Sequence, residues 1–250
     1  MKRAVFLDRD GTLIEEIEFL SDPAQVRVLE GVPQALRLFR EMGFLIIVIS
    51  NQSGVGRGYF DLKAVEMVNE KLRELLGREG TDVDDILFCP HAPEEDCMCR
   101  KPRPGLLFEA ALRHGIDLKR SYMIGDRDSD VGAIASVGGK GILVLTGYGE
   151  ETWRKWRWGH KPNFVARDLL EGAYWILAQE IKEGRRMLDP KIIEVVACPV
   201  CKGGVLLKEK GLFCEVCKLL YPVEEGIPIM IPEEAIRMEE EEEKDERKDC

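Results

Sequence analysis

Five short apolar runs, at Ala4–Leu7, Phe44–Ile49, Ile86–Phe88, Tyr122–Ile124 and Ile142–Leu145, are separated by segments whose apolar residues recur at helical spacing. A run too short for a helix and without polar alternation suits a strand buried on both faces. Strands that alternate with helices line up parallel. Helices fit Val32–Met42, Leu62–Leu76, Leu106–His114 and Val131–Val137, and Asp168 is placed to cap a last one reaching about Ile181. These spacings predict an α/β domain over residues 1–183, its parallel sheet covered by helices on both sides. Only about forty residues separate Asp10 from Ser50, and they include a helix, which leaves no room for a large cap.

The polar residues that end these runs form an ordered set. Asp8 and Asp10, in Asp8-Arg9-Asp10-Gly11-Thr12, follow the first run directly. Residues two apart in an extended chain point the same way, so both carboxylates leave the first strand together at its carboxyl end. That edge is where open α/β sheets bind ligands. Two carboxylates so placed repel unless a cation or a proton separates them, and a magnesium ion does so while also neutralising a phosphate. Ser50 ends the second run, Lys101 precedes a helix after the third, and Asp126 and Asp130 follow the fourth. A hydroxyl, a cation and further carboxylates are the parts phosphoryl transfer needs. A lone Asp-x-Asp is more often a turn or a helix cap. Four such pieces in order, at strand ends or before a helix, favour a site.

Seven of the eight cysteines fall into two clusters, Cys89-x-His91-x5-Cys97-x-Cys99 and Cys198-x2-Cys201-x12-Cys214-x2-Cys217, leaving Cys250 in the tail. Two four-ligand zinc sites in a reducing compartment fit these spacings better than a disulfide framework. The first cluster lies immediately ahead of Arg100 and Lys101, so a metal there pins the loop that carries them. The second lies where the chain turns to short strands punctuated by Pro222, Gly226, Pro228 and Pro232. A unit that small has a marginal core without a metal. The expected organisation is a linker over 184–190, a zinc ribbon over 191–232 and an acidic, disordered tail over 233–250.

The net charge is −10, and residues 239–249 hold eight acids and three bases, so that run supplies −5 of it. Such a run is usually a solvated end. The acidic balance argues against nucleic acid as a partner, including for the ribbon, whose own charge from Lys191 to Glu225 is nearly even. No apolar run approaches the roughly 18–20 residues that span a membrane, and the N-terminal stretch is too short for a secretory signal. A cytoplasmic location is expected. Trp153 and Trp156, three apart, read as helix packing, and His114 and His160 as surface residues.

With these residues in place, the first 180 positions resemble the haloacid dehalogenase phosphatases, whose four motifs match DRDGT, Ser50, Lys101 and GDRDSD in order. The resemblance implies a Rossmann-like domain in which Asp8 attacks phosphorus and forms an aspartyl-phosphate. It implies that Asp10 protonates the leaving alcohol and then activates water, and that Ser50 and Lys101 hold the phosphoryl oxygens. Magnesium would be held by Asp8, the Asp10 carbonyl and Asp126, with Asp130 acting through water. The zinc loop, together with SNQSGVGRG and KPRPG, narrows the resemblance to the D-glycero-D-manno-heptose 1,7-bisphosphate 7-phosphatases, close relatives of the histidinol-phosphate phosphatases. The five-residue gap between His91 and Cys97 is equally typical of the latter, and Arg127 stands where many heptose enzymes have Lys. A bisphosphorylated sugar needs a second anion site, for which Arg57, Arg100 and Arg127 are candidates, with Asn51, Gln52 and Ser53 near the reacting end. The C-terminal segment resembles the small zinc-ribbon subunits that activate tRNA methyltransferases and their short bacterial relatives. That resemblance implies a module that docks a protein partner, a methyltransferase or other enzyme, and does no chemistry.

Overall fold

The computed structural model describes residues 1–157 and 159–238. The acidic run from 239 onward, Cys250 with it, and Trp158 lie outside the described residues. Six parallel strands form the main sheet in the order β3-β2-β1-β4-β5-β6: β1 (Ala4–Leu7), β2 (Leu45–Asn51), β3 (Asp85–Cys89), β4 (Tyr122–Gly125), β5 (Lys140–Val144) and β6 (Phe164–Ala166). The sixth strand was not expected from the apolar runs. It is three residues long and pairs with β5 along one edge. The order reverses at β1, so the carboxyl ends of β1 and β4 diverge around a crevice.

Both faces of the sheet are covered, and β1 shows the consequence residue by residue. Its four side chains are all fully buried, Val5 and Leu7 into one core and Ala4 and Phe6 into the other. The second core is closed by Leu106, Leu107 and Ala110 of α3 (Gly105–His114) and by Ala133 and Ile134 of α4 (Asp128–Ser136). The first is closed by α1 (Val32–Glu41), by α2 (Leu62–Arg78), whose N-terminus is capped by Asp61, and by α6 (Leu169–Lys182), capped by Asp168. A short α5 (Gly149–Arg154) follows β5. Trp156 falls just beyond α5, its ring 6.2 Å from that of the exposed Trp153, so the expected pair forms at a helix end. His114 is half-buried, its Nε2 2.8 Å from Asp85, which corrects its reading as a plain surface residue.

The chain then enters α7 (Pro190–Val195) and a small antiparallel sheet of β7 (Leu206–Lys208), β8 (Gly211–Cys214), β9 (Leu219–Glu224) and β10 (Ile227–Pro228), with β11 (Ile236–Arg237) on β9. Ordered structure therefore runs past 232, into the segment expected to be tail. Two residues of the expected linker are tied back to the main domain. Arg185 reaches the buried carboxylate of Glu180 (2.6 Å), which Arg3 and the Tyr122 hydroxyl also engage, and Arg186 donates to the Glu41 carbonyl. Ile192, Val196, Leu212, Tyr221 and Met230 belong to the same continuous apolar cluster as Leu36, Leu170 and Leu177. Among the described residues no helix is long and apolar enough to cross a membrane.

Candidate active site and two thiolate clusters

Asp8 ends β1, and its N–H donates to the Ile124 carbonyl of β4, which fixes it over the crevice. Its Oδ1 accepts from Lys101 Nζ at 2.6 Å; the same ammonium donates to the Ile49 carbonyl at 2.7 Å and lies 2.7 Å from Asp130 Oδ1. Asn51 holds the backbone of Lys101 from both sides, its Oδ1 accepting from the Lys101 N–H and its Nδ2 donating to the Lys101 carbonyl. Lys101 is thereby aimed by β2 and by the loop ahead of α3.

Three carboxylates, Asp8, Asp126 and Asp130, lie close enough that one oxygen from each falls within 4.8 Å of the others. Burial pushes the Asp8 carboxyl up to about 6 against the pull of Lys101, and Asp126 up to about 8, with the neighbouring acids adding to it. Asp126 Oδ1 is buried without a hydrogen-bond partner, while Oδ2 accepts from the Tyr148 N–H at 2.8 Å. The surrounding backbone leaves space for nothing larger. A Cβ on Gly11 would meet Asp126 Oδ2 at 2.4 Å, and one on Gly147 would meet it at 2.5 Å. An all-oxygen cluster with an orphaned buried carboxylate oxygen fits a hard divalent cation such as magnesium.

Asp10 points into the same crevice. Its carboxylate is gripped by Arg9 through Nε and Nη2 (3.1–3.2 Å) and by Gln52 Nε2 (2.8 Å). Arg9 is itself buried and donates to Asn69 of α2 at 2.9 Å. The sequence reading passed over Arg9, because the motif does not say which of its three charges turns inward. Ser50 Oγ, also buried, accepts from Gln52 Nε2 at 3.2 Å.

A cavity of about 370 Å³ opens at these groups, lined by Asp8, Asp10, Asn51, Gln52, Ser53 and Lys101, and also by Arg100, Arg127, Tyr148, Glu16 and Phe19. Arg127 stacks on the Tyr148 ring at 3.9 Å, a contact that holds the guanidinium over the opening. Tyr148 is a second residue the sequence reading missed; it follows β5, where no motif was sought. Burial and the Asp10 charge push Glu16 up to about 7. Arg57, placed with the anion-binding arginines from sequence, is not on the cavity wall. It lies 3.6 Å from Glu94 on the outer side of the loop.

The first thiolate cluster abuts this cavity. Cys89, His91 Nδ1, Cys97 and Cys99 place their ligand atoms within 4.8 Å of one another, with five of the six pairs 3.2–3.6 Å apart. Disulfide sulfurs would sit at about 2.05 Å, whereas a tetrahedral zinc site has edges of roughly 3.8 Å. The loop hands its position on. Gln52 N–H donates to the Cys89 carbonyl at 2.7 Å, Gly56 N–H to Pro90, and a Cβ on Gly56 would strike the Ala92 nitrogen. In the second cluster, Cys198 lies 3.9 Å from Cys217 and Cys201 3.5 Å from Cys214, and all four sulfurs fall within 4.8 Å of one another. Lys202 and Lys218, each directly after a cysteine, take left-handed backbone (φ 59° and 56°), which closes the two knuckles alike. A metal ion held by all four sulfurs would have no open position for chemistry.

Comparison with known proteins gives two matches along the chain. The HAD-hydrolase-like family model matches residues 98–172, and the Trm112p-like family model matches residues 189–226. A D-glycero-β-D-manno-heptose-1,7-bisphosphate 7-phosphatase of Helicobacter pylori strain J99 is 41% identical over 70% of this chain and 97% of its own length. A D-glycero-D-manno-heptose-1,7-bisphosphate 7-phosphatase of Thermosynechococcus vestitus is 35% identical over 69% of this chain and 94% of its own length. Among solved structures, the D,D-heptose 1,7-bisphosphate phosphatase of B. bronchiseptica, crystallised with magnesium and phosphate, superimposes with a TM-score of 0.66. It is 33% identical and covers 72% of this chain and 99% of its own.

Proposed function

The chain is a phosphatase of the haloacid dehalogenase-like heptose-1,7-bisphosphate 7-phosphatase family with a Trm112p-like ribbon attached, and we propose on that premise that it removes the 7-phosphate of D-glycero-D-manno-heptose 1,7-bisphosphate. The observation that carries the reading is the Asp8–Asp126–Asp130 triad with Lys101 between two of its members, beside a cavity whose lining includes Arg100 and Arg127. The triad and Lys101 suit the reacting phosphate. The arginines suit a second anion on the same small molecule.

Lys101 occupies one oxygen of Asp8 and leaves the other to attack phosphorus. As the Asp8–phosphorus bond forms, the bond to the sugar oxygen breaks, and Asp10 gives that oxygen its proton. Asp10 then takes a proton from water, which attacks phosphorus and releases Asp8. Arg9 and Gln52 keep the Asp10 carboxylate turned to the crevice for both transfers. Ser50 and Lys101 hold phosphoryl oxygens, with Asn51 and Ser53 beside them. Magnesium would be held by Asp8, Asp126 and the Asp10 carbonyl, with Asp130 behind Lys101. It would offset the charge gathered on the phosphoryl oxygens.

Zinc at Cys89, His91, Cys97 and Cys99 would keep Arg100 and Lys101 in place, and zinc at Cys198, Cys201, Cys214 and Cys217 would organise a partner-docking ribbon. We set the phosphatase domain at 1–183 and begin the ribbon at about 190, in a chain that works in a reducing, cytoplasmic compartment. Phosphate release from the heptose bisphosphate and from histidinol phosphate tests the substrate. A tenfold preference for histidinol phosphate overturns our choice. Glu16, Glu18 and Asp128 favour that outcome, since carboxylates on the cavity wall would greet an ammonium group.

A further inference from the structure

We propose that the partner of the ribbon is the phosphatase domain of its own chain, so that a metal-organised knuckle at Cys198–Cys217 clamps α6 and α1 together on the surface they leave beyond the sheet. The proposal rests on reading the ribbon as a docking module and is independent of the substrate. The contact is centred on Tyr174 of α6. Its buried hydroxyl accepts from the Ala197 N–H at 3.1 Å and donates to the Ala197 carbonyl, so it is tied to both backbone groups of a single residue. Ala197 directly precedes the ligand Cys198, and the knuckle sets its position: Cys198 N–H donates to the Gly203 carbonyl and Lys202 N–H to the Cys198 carbonyl.

Lys202 extends the grip to both helices. Its ammonium lies 2.9 Å from Asp168 Oδ2, while Asp168 Oδ1 caps α6 through the Glu171 N–H. Its carbonyl accepts from Gln34 Nε2 of α1 at 3.2 Å. A Cβ on Gly31, ahead of α1, would meet Leu170 at 3.3 Å, so the helices are already packed where the knuckle lands. The remaining contact is apolar, with Ile192, Val196, Leu212 and Tyr221 in one core with Leu170 and Leu177.

A unit of one six-residue helix and strands of two to six residues holds its shape by metal and by what it packs on. If the four thiolates lose their metal, Ala197 and Lys202 lose their fixed places. Tyr174 then loses both of its hydrogen-bond partners and the neighbouring face of α6 loses its apolar cover, so α6 opens more readily. The partner chemistry of this face is therefore a pair of packed helices offering one buried hydroxyl, one carboxylate and an apolar floor.

Hydrogen exchange read by mass spectrometry on the full chain tests the proposal, using wild type, Cys214→Ser, which removes a ligand, and Tyr174→Phe, which keeps all four. Cys214→Ser is expected to speed exchange over residues 169–182 on the order of tenfold or more, with β1 and β2 unchanged. Tyr174→Phe should speed the same peptides by a smaller factor with zinc content intact. Wild-type exchange over 169–182 in either variant overturns the proposal. Failure of the substrate assignment appears in phosphate release alone and leaves these exchange rates untouched.

Discussion

Cys89, His91, Cys97 and Cys99 close a loop whose neighbours belong to the cavity, whereas Cys198, Cys201, Cys214 and Cys217 close one whose neighbours are helices on the far face of the sheet. The ligand sets are nearly the same. What differs is where each loop passes its rigidity: the first to Gln52, Arg100 and Lys101, the second to Tyr174, Asp168 and Gln34. Two clusters of one chemistry are thus placed for different duties, because a metal bound at either would act through whatever its loop holds.

The comparison first needs a fixed point that neither cluster supplies. Asp8→Asn should lower turnover on the order of 10³-fold or more while the thermal midpoint stays near that of wild type. Wild-type turnover in that variant would remove Asp8 as the nucleophile. Next, Cys99→Ser should cost about 10–100-fold in activity, the range found when supports around a site are lost. Exchange over residues 169–182 should not move. If Cys99→Ser instead loosens α6 and leaves activity intact, the two clusters have been assigned the wrong way round.

A smaller effect separates the walls of the cavity. Arg127→Ala should raise KM for a sugar bisphosphate about tenfold, the loss of one charge-assisted contact, with little change in kcat for a monophosphate of similar size. A fall in kcat for both substrates would place Arg127 at the reacting phosphate.

The far side has its own probe in Glu180. Its burial alone would raise its pKa, but Arg185 and Arg3 hold it below the usual carboxylate range. A lowered folded-state pKa means stability that is present above the unfolded value and lost as pH falls through the folded one. Urea melts should therefore show an acid limb below the ordinary carboxylate range that is flattened in Glu180→Gln. At neutral pH the same variant should lose about 3–5 kcal/mol, since two guanidinium groups lose their buried partner. An unchanged acid limb would mean that other carboxylates set the loss.

The parts of this molecule that sequence discloses are those whose residue type and place in the chain carry the same message. Five strands are apolar runs bounded by polar ends. The carboxylates, Ser50 and Lys101 sit at or near those ends, and the crevice brings them together because the strand order reverses at β1. β6 is three residues long and follows a Trp- and Arg-rich stretch, so its period is too brief to register. Arg9 carries a charge that ordinarily faces water, and only the packing of α2 reveals Asn69 waiting for it. Arg57 shows the converse, a cation in the right motif turned away to Glu94. The seam was invisible because Ile192, Val196 and Tyr221 look like the core of their own small unit. An apolar side chain does not declare which surface it will cover.

The Tyr174–Ala197 bridge also governs the order in which this chain can be finished during synthesis. When α6 has left the ribosome, the part of its surface that the ribbon packs on has no cover until about fifty more residues, through Met230, have been made. At about 5–20 residues per second that interval lasts roughly 2–10 s. For that time a complete phosphatase sheet carries a bare apolar helix face. Exposed apolar surface of this kind invites chaperones, proteases and neighbouring chains on the polysome.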